Sequence, residues 1–398
     1  MRALIADKLS DTVTRELEKL GLTVDCQPGL TAEQLPGAIG DAQILVVRST
    51  RVTAAAFEAA GELALVIRAG AGVNTIDVAA ASSQGVYVAN CPGMNTAAVA
   101  ELTIGLLVAA DRRLADATIA LRSGKWLKKE FGSAAGLHGR TLGILGFGAI
   151  GAAVAQRAKA LGMHVVAWSR RLTPEQAEAH EIECAATPLD LAARSDAVSV
   201  HLAMTSETRG MLNAQFFDAM QPGAIFINTA RGELVDASAL TAAILEKHLR
   251  VGLDVFEAEP ASDGPFSEIG LAEVTTCTPH IGASTEQAAE AIAREVVRIV
   301  QVYLQTGLPP GAVNLCDRSP ATHKLVIRHY NRIGVLAGVL DGLRAEEINV
   351  EEMQNTVFEG AQAACCTLQL DQPPSDELLQ VLRDDENILH LMLQPRPS

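Results

Sequence analysis

Short apolar runs alternate with segments of helical length along the first part of the chain. Four runs have the length of buried strands, and they span residues 2–6, 22–26, 44–47 and 65–68. Amphipathic helices are predicted to begin after Ser10, Thr31 and Thr53, and a fourth around Asp77. This alternation predicts an open parallel sheet with helices on both faces. Ligands bind such a sheet at the carboxyl ends of its strands.

The alternation resumes after a long helical pattern at residues 96–126, which is broken near Gly124. Six more apolar runs of strand length follow at residues 142–145, 165–168, 197–201, 224–228, 250–255 and 274–277. They predict a second doubly wound parallel sheet, of six strands. A further amphipathic helix is predicted at residues 286–305.

A short linker that contains proline and glycine follows Gly307 and introduces a different kind of unit. The pattern there predicts a strand at 323–329, a helix at 334–345, strands at 349–357 and 361–370, a helix at 375–382 and a strand at 388–393. This βαββαβ order is that of a ferredoxin-like fold. The predicted fold class is therefore α/β, with two doubly wound parallel-sheet domains and a C-terminal ferredoxin-like domain.

A glycine-rich segment, TLGILGFGAIG at residues 141–151, joins a predicted strand directly to a helix. Gly146, Gly148 and Gly151 have the spacing that allows a tight turn, a close approach of backbone to phosphate, and close packing of helix on strand. Phosphate groups bind well at the N-terminus of such a helix. Because a strand and a helix flank the motif as required, the sequence predicts a dinucleotide site.

The residues after the next strand bear on the choice of dinucleotide. Ser169 stands where an acidic residue usually binds the 2′-hydroxyl of the ribose, and Arg170 and Arg171 follow it. A neutral residue followed by arginine can accommodate a 2′-phosphate. The predicted cofactor is therefore NAD or NADP, with NADP(H) accepted at least comparably to NAD(H).

Three polar clusters follow strands of the second predicted sheet. They read FINTARGELVD at 226–236, GLDVFEAEP at 252–260 and TPHIGAST at 278–285. Together they supply a cation, a carboxylate and a histidine, namely Arg231, Glu259 and His280. Arginine suits a substrate carboxylate, histidine suits proton transfer, and glutamate can orient the histidine and favour its charged form. These three residues are the predicted catalytic residues.

The first predicted sheet carries cations at its strand ends. Arg48 and Arg68 each follow an apolar strand directly, so both are predicted to bind an anion. For Arg51 a role on the solvated surface is favoured. The segment 69–73 is rich in glycine, and the backbone N–H groups of Ala71 and Gly72 can cradle a carboxylate.

The composition limits the classes of partner. The net charge of −15 argues against nucleic acid and anionic membranes as main partners. Seven cysteines are scattered without metal-binding spacing, which favours reduced thiols and no metal site. No apolar run reaches the ~18 residues that a membrane helix needs. The protein is therefore expected to be soluble and cytoplasmic, with no membrane partner.

The linked motifs over about residues 1–315 resemble the NAD(P)-dependent D-2-hydroxyacid dehydrogenase family, and GAST after His280 resembles its D-3-phosphoglycerate dehydrogenase branch. The resemblance implies a flavodoxin-like substrate domain at 1–97 and 285–314, and a Rossmann cofactor domain at 98–284. Residues 322–398 resemble an ACT regulatory domain, on the segments RHYNRIGVLAGVL and INVEEM. The substrate class implied is a small 2-hydroxy or 2-oxo acid. In the branch named, 3-phospho-D-glycerate is oxidised as the first step of serine synthesis.

The resemblance also assigns individual residues. The implied cofactor contacts, beyond the three glycines and Ser169, Arg170 and Arg171, are Ala149, Ile150, Thr229, Ala230, Arg231, Asp254, His280, Ile281, Gly282 and Ala283. Of these, Asp254 is assigned to the nicotinamide. The substrate carboxylate is assigned to Arg231 with the amides of Ala71 and Gly72, and a 3-phosphate to Arg48 and Arg68.

The implied partners are further copies of the chain and a small effector. The family's dimeric arrangement implies a homodimer or homotetramer, with Trp126 packed against a neighbouring subunit. L-serine is predicted to bind between two C-terminal domains through His329, Asn331 and Asn349. Two alternatives stay open: a glyoxylate, hydroxypyruvate or 2-oxoglutarate reductase, and a nucleotide-sensing transcriptional corepressor.

Overall fold

The computed structural model describes residues 1–260, 264–316 and 319–396. The chain divides into two compact units, Met1–Asn314 and Leu315–Ser398. The predicted linker includes residues 317 and 318, and the predicted C-terminal domain includes 397 and 398, which all lie outside the described residues. None of the described helices combines the length and the apolar character that a bilayer span requires.

The first sheet of the first unit has five parallel strands in the order β2-β1-β3-β4-β5. They are β1 Arg2–Ile5, β2 Thr23–Cys26, β3 Ile44–Val47, β4 Leu65–Arg68 and β5 Tyr87–Asn90. The helices between them are α1 Asp11–Lys19, α2 Leu35–Ile39, α3 Ala54–Ala59 and α4 Val78–Ser83. The sequence pattern predicted the first four strands but not β5, which is a short apolar segment after α4.

Local capping explains where two of these helices begin. The Ser10 hydroxyl accepts the N–H of Thr12 at the start of α1, and the Asp77 carboxylate accepts the N–H of Ala80 at the start of α4. Such side chains satisfy N–H groups that have no partner within the helix. Strand β3 is buried along its whole length, as expected for the centre of a sheet that is covered on both faces.

Three helices connect the first sheet to the second: α5 Thr96–Arg112, α6 Leu114–Arg122 and α7 Lys128–Phe131. The predicted break near Gly124 is present, because α6 ends at Arg122 and Gly124 has a φ of 75°. The sequence pattern did not predict a second break, which lies at Arg113. This residue has a φ of 49°, in the left-handed region that ends a helix. Its guanidinium binds Asp116 and lies 4.7 Å from the centre of the Phe131 ring.

The second sheet has seven parallel strands in the order β12-β11-β10-β9-β6-β7-β8. They are β6 Thr141–Leu145, β7 His164–Trp168, β8 Glu183–Cys184, β9 Ala197–Val200, β10 Ile225–Asn228, β11 Arg250–Leu253 and β12 Thr276–Cys277. The helices are α8 Ala149–Ala160, α9 Pro174–Ala179, α10 Pro188–Arg194, α11 Ala214–Ala219, α12 Ala237–Lys247 and α13 Ile269–Glu273. The predicted six strands are therefore one too few. The missing one, β8, is a two-residue edge strand with too short an apolar run to recognise.

Helix α14, Glu286–Thr306, returns the chain to the first sheet. Ile292, Val296 and Ile299 of α14 lie in the same apolar core as Ala3 and Ile44. The segment that follows adds to the edge of the sheet, where the N–H of Val313 donates to the carbonyl of Val88. The two ends of the first unit thus share one core.

The C-terminal unit is an antiparallel sheet in the order β14-β15-β13-β16, covered by two helices. Its elements are β13 His323–Tyr330, α15 Val335–Ala345, β14 Val350–Val357, β15 Ala363–Leu370, α16 Asp376–Asp384 and β16 Ile388–Pro395. Its core joins the sheet to both helices through residues such as Ile327, Leu343 and Leu379. The predicted fold class, two parallel α/β sheets and a ferredoxin-like C-terminal unit, is confirmed.

Candidate active site

The glycine-rich turn between β6 and α8 has the shape that a dinucleotide requires. Gly146 has a φ of 95°, and a Cβ there would lie 2.5 Å from the carbonyl oxygen of His201. A Cβ on Gly151 would overlap the carbonyl oxygen of Gly146. A Cβ on Gly148 would meet no atom within 4 Å, so this glycine borders open space. The first and third glycines thus serve the fold, and the second leaves room for an external group.

The other predicted cofactor residues lie at the same edge of the second sheet. Ala149 and Ile150 open α8, where Gly148 caps the helix without any side-chain hydrogen bond, so the first N–H groups stay available to a phosphate. Ser169 and the two arginines follow β7. Thr229 and Ala230 follow β10, and Ile281, Gly282 and Ala283 follow β12. Parallel strands bring these segments to one edge because their carboxyl ends coincide.

His280 and Glu259 form a direct pair. The Nδ1 atom of His280 lies 2.6 Å from Oε2 of Glu259, while Oε1 of Glu259 accepts the N–H of Phe256 at 2.9 Å. Burial tends to raise the pKa of Glu259, but the bonds from His280 and Phe256 outweigh it and bring the pKa below its usual value. Glu259 therefore holds the imidazole as an ionised carboxylate. The His280 side chain keeps 46% of its surface exposed, so it is accessible to a ligand.

Asp254 fixes the loop that carries His280. Its carboxylate accepts the Thr278 hydroxyl at 2.6 Å and the N–H groups of Ile281 and Gly282, each at 2.8 Å. Burial raises the pKa of Asp254, and these bonds oppose the rise. His280 has a φ of 50°, an unusual conformation for a residue other than glycine, which this clamp maintains. The structure thus gives Asp254 a positioning role, and its contact with the nicotinamide stays a prediction.

Arg231 lies close to the glycine-rich segment of the first sheet and to Glu259. Its Nη1 donates to the Ala230 carbonyl at 2.6 Å, and a Cβ on Gly72 would lie 2.9 Å from its Nη2. A Cβ on Gly232 would overlap the carbonyl group of Phe256, so the chain after Arg231 touches the segment leading to Glu259. The structure therefore brings Arg231, Glu259 and His280 together, and Gly72 of the first sheet approaches them.

Arg48 and Arg68 extend this positive region along the first sheet. Burial lowers the pKa of the Arg68 guanidinium, and the charges of Arg231 and Arg48 lower it further. Its Nε is buried without a hydrogen-bond partner in the described part of the chain. Such an orphaned donor suits an anionic ligand, because an unpaired buried polar group is costly.

The backbone around these arginines is held by other side chains. Asp7 accepts the N–H groups of Arg48, Ser49 and Thr50 at 2.6, 3.1 and 3.1 Å through one oxygen. Asn90 donates to the carbonyl of Ala71 at 2.6 Å, which fixes the glycine-rich segment. Since Asp7 already accepts the N–H groups after β3, an anion at this position would be bound by the guanidinium groups and not by the backbone.

Residues 104–282 match the sequence profile of the NAD binding domain of D-isomer specific 2-hydroxyacid dehydrogenases. The hydroxypyruvate reductase of Thermotoga maritima is 37% identical over 305 residues, which make up 76% of this chain and 96% of that protein. This chain belongs to the D-isomer specific 2-hydroxyacid dehydrogenase family. The family predicted from the motifs is thereby confirmed.

Two further relatives of this chain carry a more specific name. The D-3-phosphoglycerate dehydrogenase of Methanocaldococcus jannaschii is 38% identical over 317 residues, 79% of this chain and 60% of that protein. The chain thus spans about three fifths of the length of that curated relative. The crystal structure of 3-phosphoglycerate dehydrogenase from Entamoeba histolytica with bound NAD+ is 25% identical, with a TM-score of 0.67, over 79% of this chain and 99% of that one.

The glycine-rich turn fits the cofactor of the 2-hydroxyacid dehydrogenases, since a ligand phosphate can occupy the space beside Gly148. The predicted NAD or NADP binding is consistent with the match to the family's NAD binding domain. Arg170 is not free beside Ser169, however, because its Nη1 lies 2.5 Å from Oε2 of Glu207. Glu207 was not among the predicted site residues.

Two supporting side chains of the candidate site were not predicted from the sequence. Asn228 donates to the carbonyl of Arg231 at 2.8 Å and accepts the N–H of Ala230 at 3.0 Å, which shapes the turn after β10. Thr103 of α5 lies 2.8 Å from the hydroxyl of Thr229. A polar residue at the last position of a buried strand was the available signal for Asn228. Nothing in the sequence links Thr103 to Thr229, which are far apart in the chain.

The predicted regulatory residues are not brought together within one chain. His329 is only 2% exposed and lies 3.3 Å from Oδ1 of Asn355, and Asn331 donates to the carbonyl of Ala361 at 3.1 Å. Asn349 lies at the opposite end of the sheet, because β13 and β14 both run antiparallel to β15, between them. Within one domain, Asn349 therefore does not adjoin His329. A site built from two domains stays a prediction.

Proposed function

We propose that the protein is a D-3-phosphoglycerate dehydrogenase, which transfers hydride between 3-phospho-D-glycerate and NAD(P) as the first step of L-serine biosynthesis. The observation that carries the proposal is the buried Nε of Arg68, which has no hydrogen-bond partner among the described residues and feels the charges of Arg48 and Arg231. These three residues bring three guanidinium groups to one region. One carboxylate needs one such group, whereas a substrate with a carboxylate and a phosphate uses all three. In this proposal the first sheet with α14 is the substrate domain, and the second sheet is the cofactor domain.

The geometry supports a division of labour among the catalytic residues. His280 takes the proton of the C2 hydroxyl as general base, and returns it to the carbonyl in the reverse direction. Glu259 holds Nδ1 of the ring at 2.6 Å, which leaves Nε2 as the group that exchanges the proton. Arg231 holds the substrate carboxylate, with the amides of Ala71 and Gly72 beside it. The bound nicotinamide supplies the hydride acceptor.

Replacing Arg48 by glutamine tests the substrate. The variant is expected to lower kcat/KM for 3-phosphohydroxypyruvate by about tenfold to a hundredfold, because a charge-assisted contact to the phosphate is lost. For unphosphorylated hydroxypyruvate a change of less than about twofold is expected, since that substrate has no phosphate. The measurement is a steady-state reduction assay with each substrate and with NADH and NADPH.

Arg51→Gln is the matched control, because Arg51 is an exposed arginine in the same loop and its replacement removes the same charge. An equal loss for both substrates in Arg48→Gln would argue against a phosphate at this residue. The name of the Thermotoga maritima relative favours hydroxypyruvate reduction as the second candidate. That candidate is preferred if wild-type protein reduces hydroxypyruvate, glyoxylate or 2-oxoglutarate more efficiently than the phosphorylated acid.

We also propose a homodimer or homotetramer that buries the surface of α6 and Trp126. Helix α6 has no buried residue, Ile119 and Leu121 are exposed, and Trp126 is 79% exposed. An apolar surface of this kind marks an interface. Trp126→Ala is expected to raise the dissociation constant of the dimer, measured by sedimentation, by at least about tenfold. A monomeric wild type at micromolar concentration would contradict the contact.

The C-terminal unit is proposed to bind L-serine between two chains and to slow the enzyme. Asn331 and Asn349 have polar side chains at opposite ends of the sheet. A single site can therefore contain both residues only if Asn331 of one domain meets Asn349 of another. Asn331→Ala is expected to abolish serine inhibition while sparing kcat, because an effector acts only through its preference for one state. Calorimetric titration of L-serine measures the binding. Absence of binding to the wild type rejects the site, and binding without inhibition rejects regulation.

A further inference from the structure

An ion pair crosses the dinucleotide edge of the second sheet. Nη1 of Arg170 lies 2.5 Å from Oε2 of Glu207, and the two side chains are 65% and 70% exposed. Arg170 follows directly after Ser169, the residue to which the ribose is assigned. One of the two arginines predicted to favour a 2′-phosphate is therefore already bound to a carboxylate.

The topology places this pair beside the glycine-rich turn. Strands β7 and β9 lie on either side of β6, and all three run in the same direction. Arg170 belongs to the segment after β7, and Glu207 belongs to the segment after β9. Their carboxyl ends lie at the edge where the turn after β6 receives a dinucleotide. The pair thus joins the two segments that flank the turn.

The position of Glu207 is fixed by its neighbours. The Thr208 hydroxyl accepts the N–H of Thr205 at 2.8 Å and donates to the carbonyl of Ala203 at 2.7 Å. The Thr205 hydroxyl accepts the N–H of Thr208 in return, at 3.3 Å. Farther along, the N–H of Gly210 donates to the carbonyl of Glu233 at 2.9 Å. Glu207 therefore projects from an ordered turn, and its carboxylate lies against Arg170.

We infer that Glu207 determines the preference between NAD and NADP, because it competes with the 2′-phosphate for Arg170. The inference rests on the proposed dinucleotide site. NADP carries a phosphate on the adenosine ribose, and binding it through Arg170 requires the bond to Glu207 to be broken. NAD has no such phosphate and leaves the pair intact. A competing contact that lowers the affinity for one ligand and leaves the affinity for the other unchanged determines the specificity between them.

Titration of NADP+ and NAD+ into wild type and Glu207→Gln tests the inference without any turnover. The variant is expected to lower the Kd for NADP+ by about twofold to fivefold, the upper part of the range for an exposed ion pair. The Kd for NAD+ is expected to change by less than about twofold. Glu16→Gln is the matched control, because Glu16 is an ion-paired glutamate of α1, on the first sheet. It should change neither value.

Arg170→Ala separates competition for Arg170 from a general effect of charge. In that background, Glu207→Gln is expected to change the Kd for NADP+ by less than about twofold, since the shared partner is gone. A full effect in the Arg170→Ala background, or an equal effect of Glu207→Gln on both dinucleotides, overturns the inference. If neither dinucleotide binds to the wild type, the proposed function fails together with the inference. If both bind but Glu207→Gln does not favour NADP+, only the inference fails.

Discussion

Replacing His280 by asparagine is expected to lower kcat by about 10²-fold to 10⁴-fold, the usual contribution of general acid–base catalysis. The Kd for NADH is expected to stay nearly unchanged, because the glycine-rich turn and the start of α8 lie on other strands of the sheet. Asparagine suits the position since it tolerates the left-handed φ of 50° found at His280. Stopped-flow binding of NADH and steady-state turnover measure the two quantities.

His248→Asn is the matched control for this substitution. His248 also has a left-handed φ, of 55°, and it is exposed at the end of α12. The same chemical change in the same backbone conformation should leave turnover and binding as they are in the wild type. If His280→Asn kept its turnover, or lost NADH binding in proportion to turnover, the assignment of His280 as the proton-transfer group would be rejected.

Much of the fold followed from periodicity because buried parallel strands are apolar along their whole length. Strand β3 is an example, since all four of its residues are buried. Strand β8 could not be predicted from periodicity, because it has only two residues and lies at the edge of the sheet, paired with β7 alone. The break at Arg113 was not predicted either, since arginine favours helix and nothing in the local sequence indicates its left-handed φ of 49°.

The site was predictable where its chemistry follows strand ends in sequence. Arg231, Glu259 and His280 each stand shortly after a strand, and parallel topology brings such positions together. Glu207 did not follow, because it lies in a polar turn where a glutamate is ordinary. Its partner becomes visible only when the order β9-β6-β7 is known. The separation of Asn349 from the end of β13 likewise becomes visible only when it is known that both β13 and β14 pair antiparallel with β15.

Replacing Arg231 by lysine is expected to lower kcat/KM for the 2-oxo acid by about 10²-fold to 10³-fold, although the charge is kept. The planar guanidinium can contact the Ala230 carbonyl through Nη1 and still present Nη2 beside Gly72. A lysine ammonium is a single point and cannot keep both positions. The loss should appear in KM as well as in kcat, because the carboxylate is bound less tightly and is also less well oriented.

Arg298→Lys makes the same change in an exposed, ion-paired arginine of α14 and should leave kcat/KM unchanged. Added guanidinium ion at millimolar concentration is expected to restore part of the activity of Arg231→Ala, because the small cation can occupy the space that the side chain leaves. Asn228 already holds the turn after β10 through backbone groups. If Arg231 served only to stabilise that turn, added guanidinium ion would not restore activity. Full activity in Arg231→Lys would show that the substrate carboxylate is held elsewhere, and the group formed with Arg48 and Arg68 would then lose its role.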